Sequence, residues 1–343
     1  MCRIIRLYYL IPICLITTLS YGQGLNFPAD EWGISFGNST RFSGIRFNFI
    51  DKNIEDIKGI NFTVWYDKEF GDHSGTFKGI GIGVPMAAGT KYRYGFSVGI
   101  FGVGAGEDLT GFNIGGLAVG SGQNVSGLNI GGLVVGSGKN VTGINIGGLA
   151  VGSGESLKGI NAGGLAVGSG GDISGINFGG LAVGAGSDIR GISLSILVVG
   201  SGESITGISF AGLVVGAGES VKGINVGGLA VGSGESLTGI NLSALAVGSP
   251  QVTGLSAALA VGGEFVTGLN IAPAYMRIEG ENGVMKGMSI SAFNHIKGSQ
   301  QGLTIGIFNY TFRINGLQIG LLNYVKENRK GLRMLPLFNT RFN

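Results

Sequence analysis

Glycine recurs at one fixed interval through the middle of this chain. Equivalent glycines stand sixteen residues apart ten times in succession, without an insertion, and they are Gly79, Gly95, Gly111, Gly127, Gly143, Gly159, Gly175, Gly191, Gly207, Gly223 and Gly239. A fixed period of this length is typical of repeat architectures, in which each copy buries its side chains only by stacking on its neighbours. We therefore expect a series of equivalent structural copies.

One copy, idealised as GINIGGLAVGSGESLT, contains two short stretches in which apolar residues alternate with others. Counted from the opening glycine as position 0, the apolar positions are +1, +3, +6, +8 and +14. Such alternation is typical of a β-strand with one buried face. A glycine pair such as Gly115–Gly116 separates the stretches where the parity changes, and residues that favour turns precede each new copy. The pattern predicts an all-β repeat protein, a parallel β-solenoid of about 16 residues per coil.

The five apolar positions are expected to form the interior of this solenoid. In particular, Leu181 is predicted to lie buried between Leu165 and Leu197, whereas Ala182 is predicted to point outward. Position +2 has two open interpretations: an exposed polar residue, or a ladder of stacked side chains that hydrogen-bond along parallel strands. The residues at position +2 are Asn113, Asn129, Asn145, Asn161, Asn177, Ser193, Ser209, Asn225 and Asn241.

An antiparallel outer-membrane β-barrel built from the same copies is the alternative architecture. Each copy is long enough for one spanning strand of about ten residues, and Phe342 lies close to the C-terminus, where such barrels often carry an aromatic residue. Two features favour the solenoid instead. A lipid-facing strand alternates without a change of parity, and barrels carry their long loops on one side. Here the longest copies begin at Gly59 and Gly268, which would fall on opposite sides.

The first 22 residues have the features of a signal peptide, with cleavage expected before Gln23. Arg3 and Arg6 are basic, an apolar run follows them, and small residues precede the expected cleavage site. Both cysteines of the chain, Cys2 and Cys14, fall in this segment. The exported protein is therefore expected to contain no thiol and no disulfide.

The remaining chain divides into a regular middle and two irregular ends. Residues 79–253 contain the regular glycine-rich repeats. Residues 23–78 and 254–343 contain copies of variable length that are richer in aromatic and charged side chains. Irregular terminal repeats are expected to cap the open edges of a stack.

Composition excludes some function classes. The chain has 70 glycines among 343 residues, without a collagen period, and its 44% hydrophobic content is too high for a disordered linker. A formal net charge of +3 gives no reason to expect nucleic acid as a partner.

The stretches GINIGGLAVGSG, GLQIGLLNY and GLRMLPLFNTRF resemble the glycine-rich surface-repeat proteins of Bacteroidota and spirochaetes. The resemblance covers most of the chain from about Gly33 onward. It implies an exported location at the cell envelope or surface of a Gram-negative bacterium. It implies no activity, and no catalytic or ligand residue follows from it.

Motifs that would carry chemistry are weak in this sequence. Ser35 and Ser97 each stand in a Gly-x-Ser-x-Gly stretch, but a hydrolase elbow needs a strand–turn–helix setting and a histidine base. Both serines occupy position +2 and are expected to point outward without a catalytic role. The two histidines, His73 and His295, are far apart in sequence. The acidic corner residues are expected to be solvated turns rather than calcium ligands, and they are Glu107, Glu155, Asp172, Asp188, Glu203, Glu219 and Glu235.

The sequence therefore predicts no enzyme, with no catalytic, cofactor-binding or metal-binding residue. The expected function is that of an exported envelope scaffold or of an interaction or adhesion module. An outer-membrane pore or anchor is the alternative, and it follows the barrel architecture. The partner is left open among a glycan, a protein and a second copy of the chain.

Overall fold

The computed structural model describes residues 24–65 and 73–341, and the predicted signal peptide lies outside the described residues. Strands dominate the described chain, with one short 3₁₀ turn, Lys330–Leu332. The chain falls into two compact units, one that ends at Gly164 and one that begins at Leu165. We call them the N-terminal unit and the C-terminal unit and describe each by itself.

The strands are numbered in chain order. The first eight are β1 Leu25–Ala29, β2 Trp32–Phe36, β3 Arg41–Asn48, β4 Asp56–Thr63, β5 Ser74–Gly83, β6 Met86–Ala87, β7 Thr90–Gly99 and β8 Gly102–Ala105. The rest of the N-terminal unit contains β9 Asp108–Gly115, β10 Ala118–Ser121, β11 Asn124–Gly131, β12 Val134–Ser137, β13 Asn140–Gly147, β14 Ala150–Ser153 and β15 Ser156–Gly163.

The C-terminal unit continues the alternation of long and short strands. Its regular strands are β16 Ala166–Ser169, β17 Asp172–Gly179, β18 Ala182–Ala185, β19 Ile189–Ser195, β20 Val198–Ser201, β21 Ser204–Ala211, β22 Val214–Ala217, β23 Ser220–Gly227, β24 Ala230–Ser233, β25 Ser236–Ser243, β26 Ala246–Gly248, β27 Gln251–Ala257 and β28 Ala260–Gly263. The last strands are β29 Phe265–Ile278, β30 Val284–Val325 and β31 Met334–Arg341.

Each unit is a parallel β-solenoid, as predicted. In the N-terminal unit Val125 pairs with Val141, and in the C-terminal unit Phe210 pairs with Val226, both in parallel and sixteen residues apart. The backbone N–H of Leu181 donates to the carbonyl of Leu165 at 2.7 Å. Of the two architectures that the sequence allowed, the structure has the solenoid.

Antiparallel strands cover the outer edge at each end. β1 pairs antiparallel with β2, and β31 pairs antiparallel with β30. An unpaired edge strand offers free backbone donors and acceptors to another chain. β1 and β31 occupy these groups on Trp32–Phe36 and on residues 316–324 of β30, so these parallel strands are not open edges.

The opening glycine of each coil is a bend in the long strand. Gly127 has a φ of 104°, and a side chain there would place its Cβ 2.1 Å from the carbonyl oxygen of Gly111. A side chain is therefore excluded twice, by the backbone conformation and by the coil stacked beside it. This requirement explains why glycine recurs at the start of every coil.

The interior differs from the prediction at three of the five apolar positions. In the coil that opens at Gly143, positions +8 and +14 are buried as predicted, with Val151 1% and Leu157 0% exposed. Positions +1, +3 and +6 point outward instead, and the residues there are Ile144, Ile146 and Leu149, 42%, 43% and 42% exposed. Leu181 was predicted to be buried and is likewise 43% exposed, although Leu165 and Leu197 are its stacking neighbours as expected.

The third inward column belongs to position +2. Asn145 is fully buried, whereas the apolar residues on either side of it face outward. Positions +2, +8 and +14 share one parity, and positions +1 and +3, which alternate with +2 along the strand, face outward. Leu149 at position +6 has the parity of the inward residues, but it lies in the bend between β13 and β14 and faces outward. The interior therefore needs no change of parity, which was inferred by assigning every apolar residue to it.

Candidate interaction surface

The outward residues at positions +1, +3 and +6 form a continuous apolar surface in each unit, which we call the aliphatic face. In the coil that opens at Gly175, Ile176, Phe178 and Leu181 are 44%, 57% and 43% exposed. The face contains Phe112, Ile114, Leu117, Leu128, Ile130, Leu133, Ile144, Ile146, Leu149, Ile160 and Ala162 in the N-terminal unit. In the C-terminal unit it contains Leu165, Ile176, Phe178, Leu181, Ile192, Leu194, Leu197, Ile208, Phe210, Leu213, Ile224, Val226, Leu229, Ile240, Leu242 and Leu245.

Charged side chains lie on other rows of the same coils. Row +15 carries Lys158, Arg190 and Lys222, and it lies on the far side of the opening glycine from the aliphatic face. Row +12, at the opposite corner of the coil, carries exposed acidic residues such as Glu203 and Glu219. The aliphatic face itself contains only apolar residues. The regular coils are therefore amphipathic across their section, with the charged rows +12 and +15 outside the aliphatic face.

Amide hydrogen bonds hold the interior behind this face. Asn113 Nδ2 donates to Asn129 Oδ1 at 2.8 Å, Asn129 donates to Asn145 at 2.8 Å, and Asn145 donates to Asn161 at 2.9 Å. Stacked side-chain amides satisfy one another when identical residues repeat along a parallel ladder. Of the two interpretations of position +2, the ladder is therefore the correct one in the N-terminal unit.

The corresponding column of the C-terminal unit is interrupted by serine. Asn225 donates to Asn241 at 3.1 Å, but Ser209 Oγ is buried and makes no hydrogen bond within the described residues. The side chain of Ser209 is smaller than that of asparagine, so it fits into the narrow column but does not fill it. In the regular coils of both units, the interior is thus polar in one column and aliphatic in two.

Among the described residues, charged side chains are buried in the interior only in the coils that open before Gly95, which we call the early coils. Arg46 occupies position +2 of its coil and is fully buried, where it forms an ion pair with Asp51. Its guanidinium also donates to Asn61 Oδ1 at 3.0 Å and to Asn38 Oδ1 at 2.7 Å. Asp51 in turn accepts from Thr63 Oγ1 at 2.8 Å. These partners compensate the buried charges of the pair.

Arg93 is the second buried arginine, and it is less well satisfied. It occupies position +14, and its guanidinium lies 4.6 Å from the ring centroid of Phe77. Nη2 donates to the carbonyl of Ala88 at 3.3 Å, whereas Nε and Nη1 have no hydrogen-bond partner within the described residues. Burial lowers the pKa of Arg93 to about 10, and the nearby Asp51 opposes that shift. Gly81 provides the room, because a Cβ there would lie 2.4 Å from Nη1.

The serines of the two Gly-x-Ser-x-Gly stretches lie in the interior, which corrects the expectation that they point outward. Ser35 is fully buried, and its Oγ lies 2.9 Å from Ser39 Oγ. Ser97 is also fully buried, and its Oγ has no hydrogen-bond partner within the described residues. Both occupy the column that asparagine fills in the regular coils. Neither hydroxyl is presented to a substrate on the surface.

The histidines and acidic corner residues stay dispersed. His295 lies in a row of aromatic side chains, and its Nδ1 is 3.0 Å from the hydroxyl of Tyr275. Burial, together with Lys297 and Arg277, lowers the pKa of His295. Over residues 24–65 and 73–341, no three side chains of the His, Cys, Asp and Glu types are grouped as metal ligands would be. Within the same ranges, no helix is both long and apolar enough to cross a membrane.

The fold and the surface define a class of protein, a parallel β-solenoid with an amphipathic section. Comparison of the chain with protein families, curated proteins and solved structures gave no significant match. The resemblance to glycine-rich surface-repeat proteins therefore stays a prediction. The functional proposal rests on the exposed aliphatic face.

Sequence reasoning missed the aliphatic face although the sequence contains the information to find it. The signal is the common parity of positions +2, +8 and +14, which places asparagine with the two aliphatic columns. Position +2 holds asparagine or serine in every coil from Asn113 to Asn241, and an exposed position would tolerate more variety. A position that holds only asparagine or serine in successive coils therefore indicates a polar column that faces inward.

Proposed function

We propose that the protein is a non-catalytic scaffold or interaction module of the bacterial cell envelope, and that it binds through its aliphatic face. The observation that supports this proposal is the apolar surface over the regular coils of each unit, described above for each unit by itself. Exposed apolar patches on monomeric soluble proteins rarely exceed a few hundred Å², and larger ones mark interaction sites. Extended repeat surfaces of this kind suit large partners rather than small substrates.

Export is part of the proposal and rests on the N-terminal sequence. The features of residues 1–22 favour secretion and cleavage before Gln23. Intact mass of the exported protein tests this directly. The expected mass corresponds to a chain that begins at Gln23, and a chain that still begins at Met1 would contradict export by a cleaved signal peptide.

Site-specific photo-crosslinking on intact cells tests the binding surface. A benzophenone side chain replaces Ile208 on the aliphatic face, or the exposed Glu219 at the acidic corner of the same coil, in otherwise identical exported proteins. We expect illumination to give a covalent adduct at position 208 and little or none at position 219. Equal adducts at both positions, or none at either, would show that the aliphatic face is not a binding surface.

A further inference from the structure

Position +3 of the C-terminal unit alternates in side-chain size along the stack. Consecutive coils are paired in register, so these residues form one straight row on the aliphatic face. Phe178 and Phe210 project from it, 57% and 43% exposed, whereas Val226 and Ala257 leave shallow places. In order, the row contains Phe178, Leu194, Phe210, Val226, Leu242 and Ala257.

A second solenoid of the same kind has the spacing needed to fit this row. Adjacent parallel strands are about 4.8 Å apart, and two sheet faces pack about 10 Å apart with their side chains interdigitating. A partner with the same strand spacing places one side chain opposite each coil. Flat apolar surfaces such as a lipid bilayer have no such period and cannot exploit the alternation in size.

We propose that the aliphatic face of the C-terminal unit binds a second copy of this chain, face to face, with the two stacks antiparallel. The two-fold axis runs parallel to the strands, between the coils that open at Gly207 and Gly223. This inference rests on the proposed function and names the partner of the same surface. A two-fold axis makes the interface self-complementary, so each contact occurs twice.

The position of the axis follows from the sizes of the side chains. It places Phe210 of one copy opposite Val226 of the other, Phe178 opposite Ala257, and Leu194 opposite Leu242. Large side chains then meet small ones, which is the arrangement that fills a packed layer. A shift of the axis by half a coil, onto the coil of Gly207, would instead place the two copies of Phe210 against each other.

The neighbouring cationic row supports the same axis. It places Arg190 opposite Thr238 and Lys222 opposite Thr206, so no cation faces another. The shifted axis on the coil of Gly207 would bring Arg190 against Lys222, and like charges that oppose each other weaken an interface. Packing and charge therefore select the same arrangement.

The surface available is sufficient for a stable dimer. An aromatic side chain carries roughly 150–250 Å² of surface and an aliphatic one somewhat less, so three that are between about a fifth and a half exposed leave on the order of 150 Å² per coil. Six coils then reach the ~800 Å² that each partner contributes to a typical stable interface. The face is therefore as large as the interface of a typical stable dimer.

An exchange of two side chains tests the proposed register in the full exported protein. Phe210→Val leaves two gaps in the dimer, and Val226→Phe places two aromatic rings against each other. We expect each single substitution to raise the dimer dissociation constant at least tenfold in sedimentation equilibrium.

The double variant Phe210→Val with Val226→Phe restores a large side chain opposite a small one. It should return the constant to within about threefold of the original. All three variants change outward side chains, so their thermal unfolding should match that of the unchanged protein when it is measured at concentrations low enough to keep every variant monomeric.

Two further measurements separate this inference from the proposed function. Vesicles of phosphatidylethanolamine and phosphatidylglycerol are mixed with the protein and sedimented. A protein that is monomeric at about 50 µM overturns the self-association, whether or not it binds the vesicles. Vesicle binding by that monomer would leave the proposed function intact with a lipid partner. A dimer that the double variant fails to restore overturns the antiparallel register. A monomer that gives no photo-adduct at position 208 on cells overturns both proposals.

Discussion

The early coils and the regular coils that follow them fill the same interior columns with different chemistry. In the regular coil at Gly143, position +2 is Asn145, whose amide bonds to its copies on either side, and the preceding +14 residue is Val141. In the earlier coils, position +2 is Arg46 and a +14 residue is Arg93, and both are buried. Repetition satisfies a polar side chain by its own copies, whereas a unique side chain needs dedicated partners.

The two buried arginines show how many dedicated partners a unique charged side chain needs. Arg46 has an ion pair with Asp51 and further amide partners, so its charge is compensated. Arg93 depends on the space above Gly81 and on the ring of Phe77, and two of its nitrogens have no partner within the described residues. The regular coils need no such arrangement, because each asparagine brings both a donor and an acceptor.

The largest expected effect comes from placing a buried arginine in a regular coil. Val141→Arg places an arginine at position +14 where no glycine makes room and no aspartate lies nearby. We expect it to destabilise the fold by about 3–5 kcal/mol, the cost of an uncompensated buried charge. Chemical denaturation followed by circular dichroism measures the change.

Thr142→Arg is the matched control for that substitution. It adds the same side chain one residue further on, in the outward row where Lys158 and Arg190 already stand. It should change the free energy of unfolding by less than ~0.5 kcal/mol. Equal losses for the two variants would mean that inward and outward positions are not distinguished as described.

A smaller effect is expected when the ladder itself is cut. Asn145→Leu keeps the size of the side chain but leaves the amide of Asn129 without its acceptor and Asn161 Oδ1 without its donor. Each buried polar atom that loses its partner costs about 1–3 kcal/mol, so we expect a loss of about 2–4 kcal/mol. Ile144→Leu, an outward change beside it, is the control and should be close to neutral. An Asn145→Leu protein as stable as the control would refute a stabilising ladder.

The smallest effect is a gain, obtained by converting an early coil to the regular pattern. Arg93→Val combined with Gly81→Asn removes the poorly satisfied charge and continues the column of Asn61. Replacing a buried charge by a well-packed apolar residue is often stabilising, and we expect about 1 kcal/mol. Arg93→Val alone leaves the space over Gly81 empty and should gain less. Thermal unfolding ranks the two variants, and a larger gain for the single variant would argue against this packing.

Sequence reasoning could establish the coil but not which of its sides faces inward. The sixteen-residue spacing fixed the pairing of Val125 with Val141 and the bend at Gly127 follows from the repeated glycine. Burial was then inferred from hydrophobicity, which assigned Ile144 to the interior and left Asn145 undecided. In most folds that inference holds, because a buried amide rarely finds all its partners. A repeated column is different, since the coils on either side supply them.

The early coils were less accessible to sequence reasoning for a different reason. Arg93 can be buried because Gly81, twelve residues earlier, lacks a side chain at the neighbouring column. Counting from Gly79 places Arg93 at position +14, but a charged side chain gives no sign of burial unless the space over Gly81 is known. The functional surface was missed as a direct consequence of the inverted interior, because residues assigned to a core are not considered as a binding face.

Cysteine accessibility measures the central claim, that asparagine faces inward and the aliphatic residues face outward. Ile144→Cys and Asn145→Cys are made separately in a protein with Cys2 and Cys14 replaced by serine, and maleimide labelling is timed with and without denaturant. The account predicts rapid labelling of Ile144→Cys in the folded protein, and labelling of Asn145→Cys only when the protein unfolds. Rapid labelling of Asn145→Cys together with protection of Ile144→Cys would contradict the account.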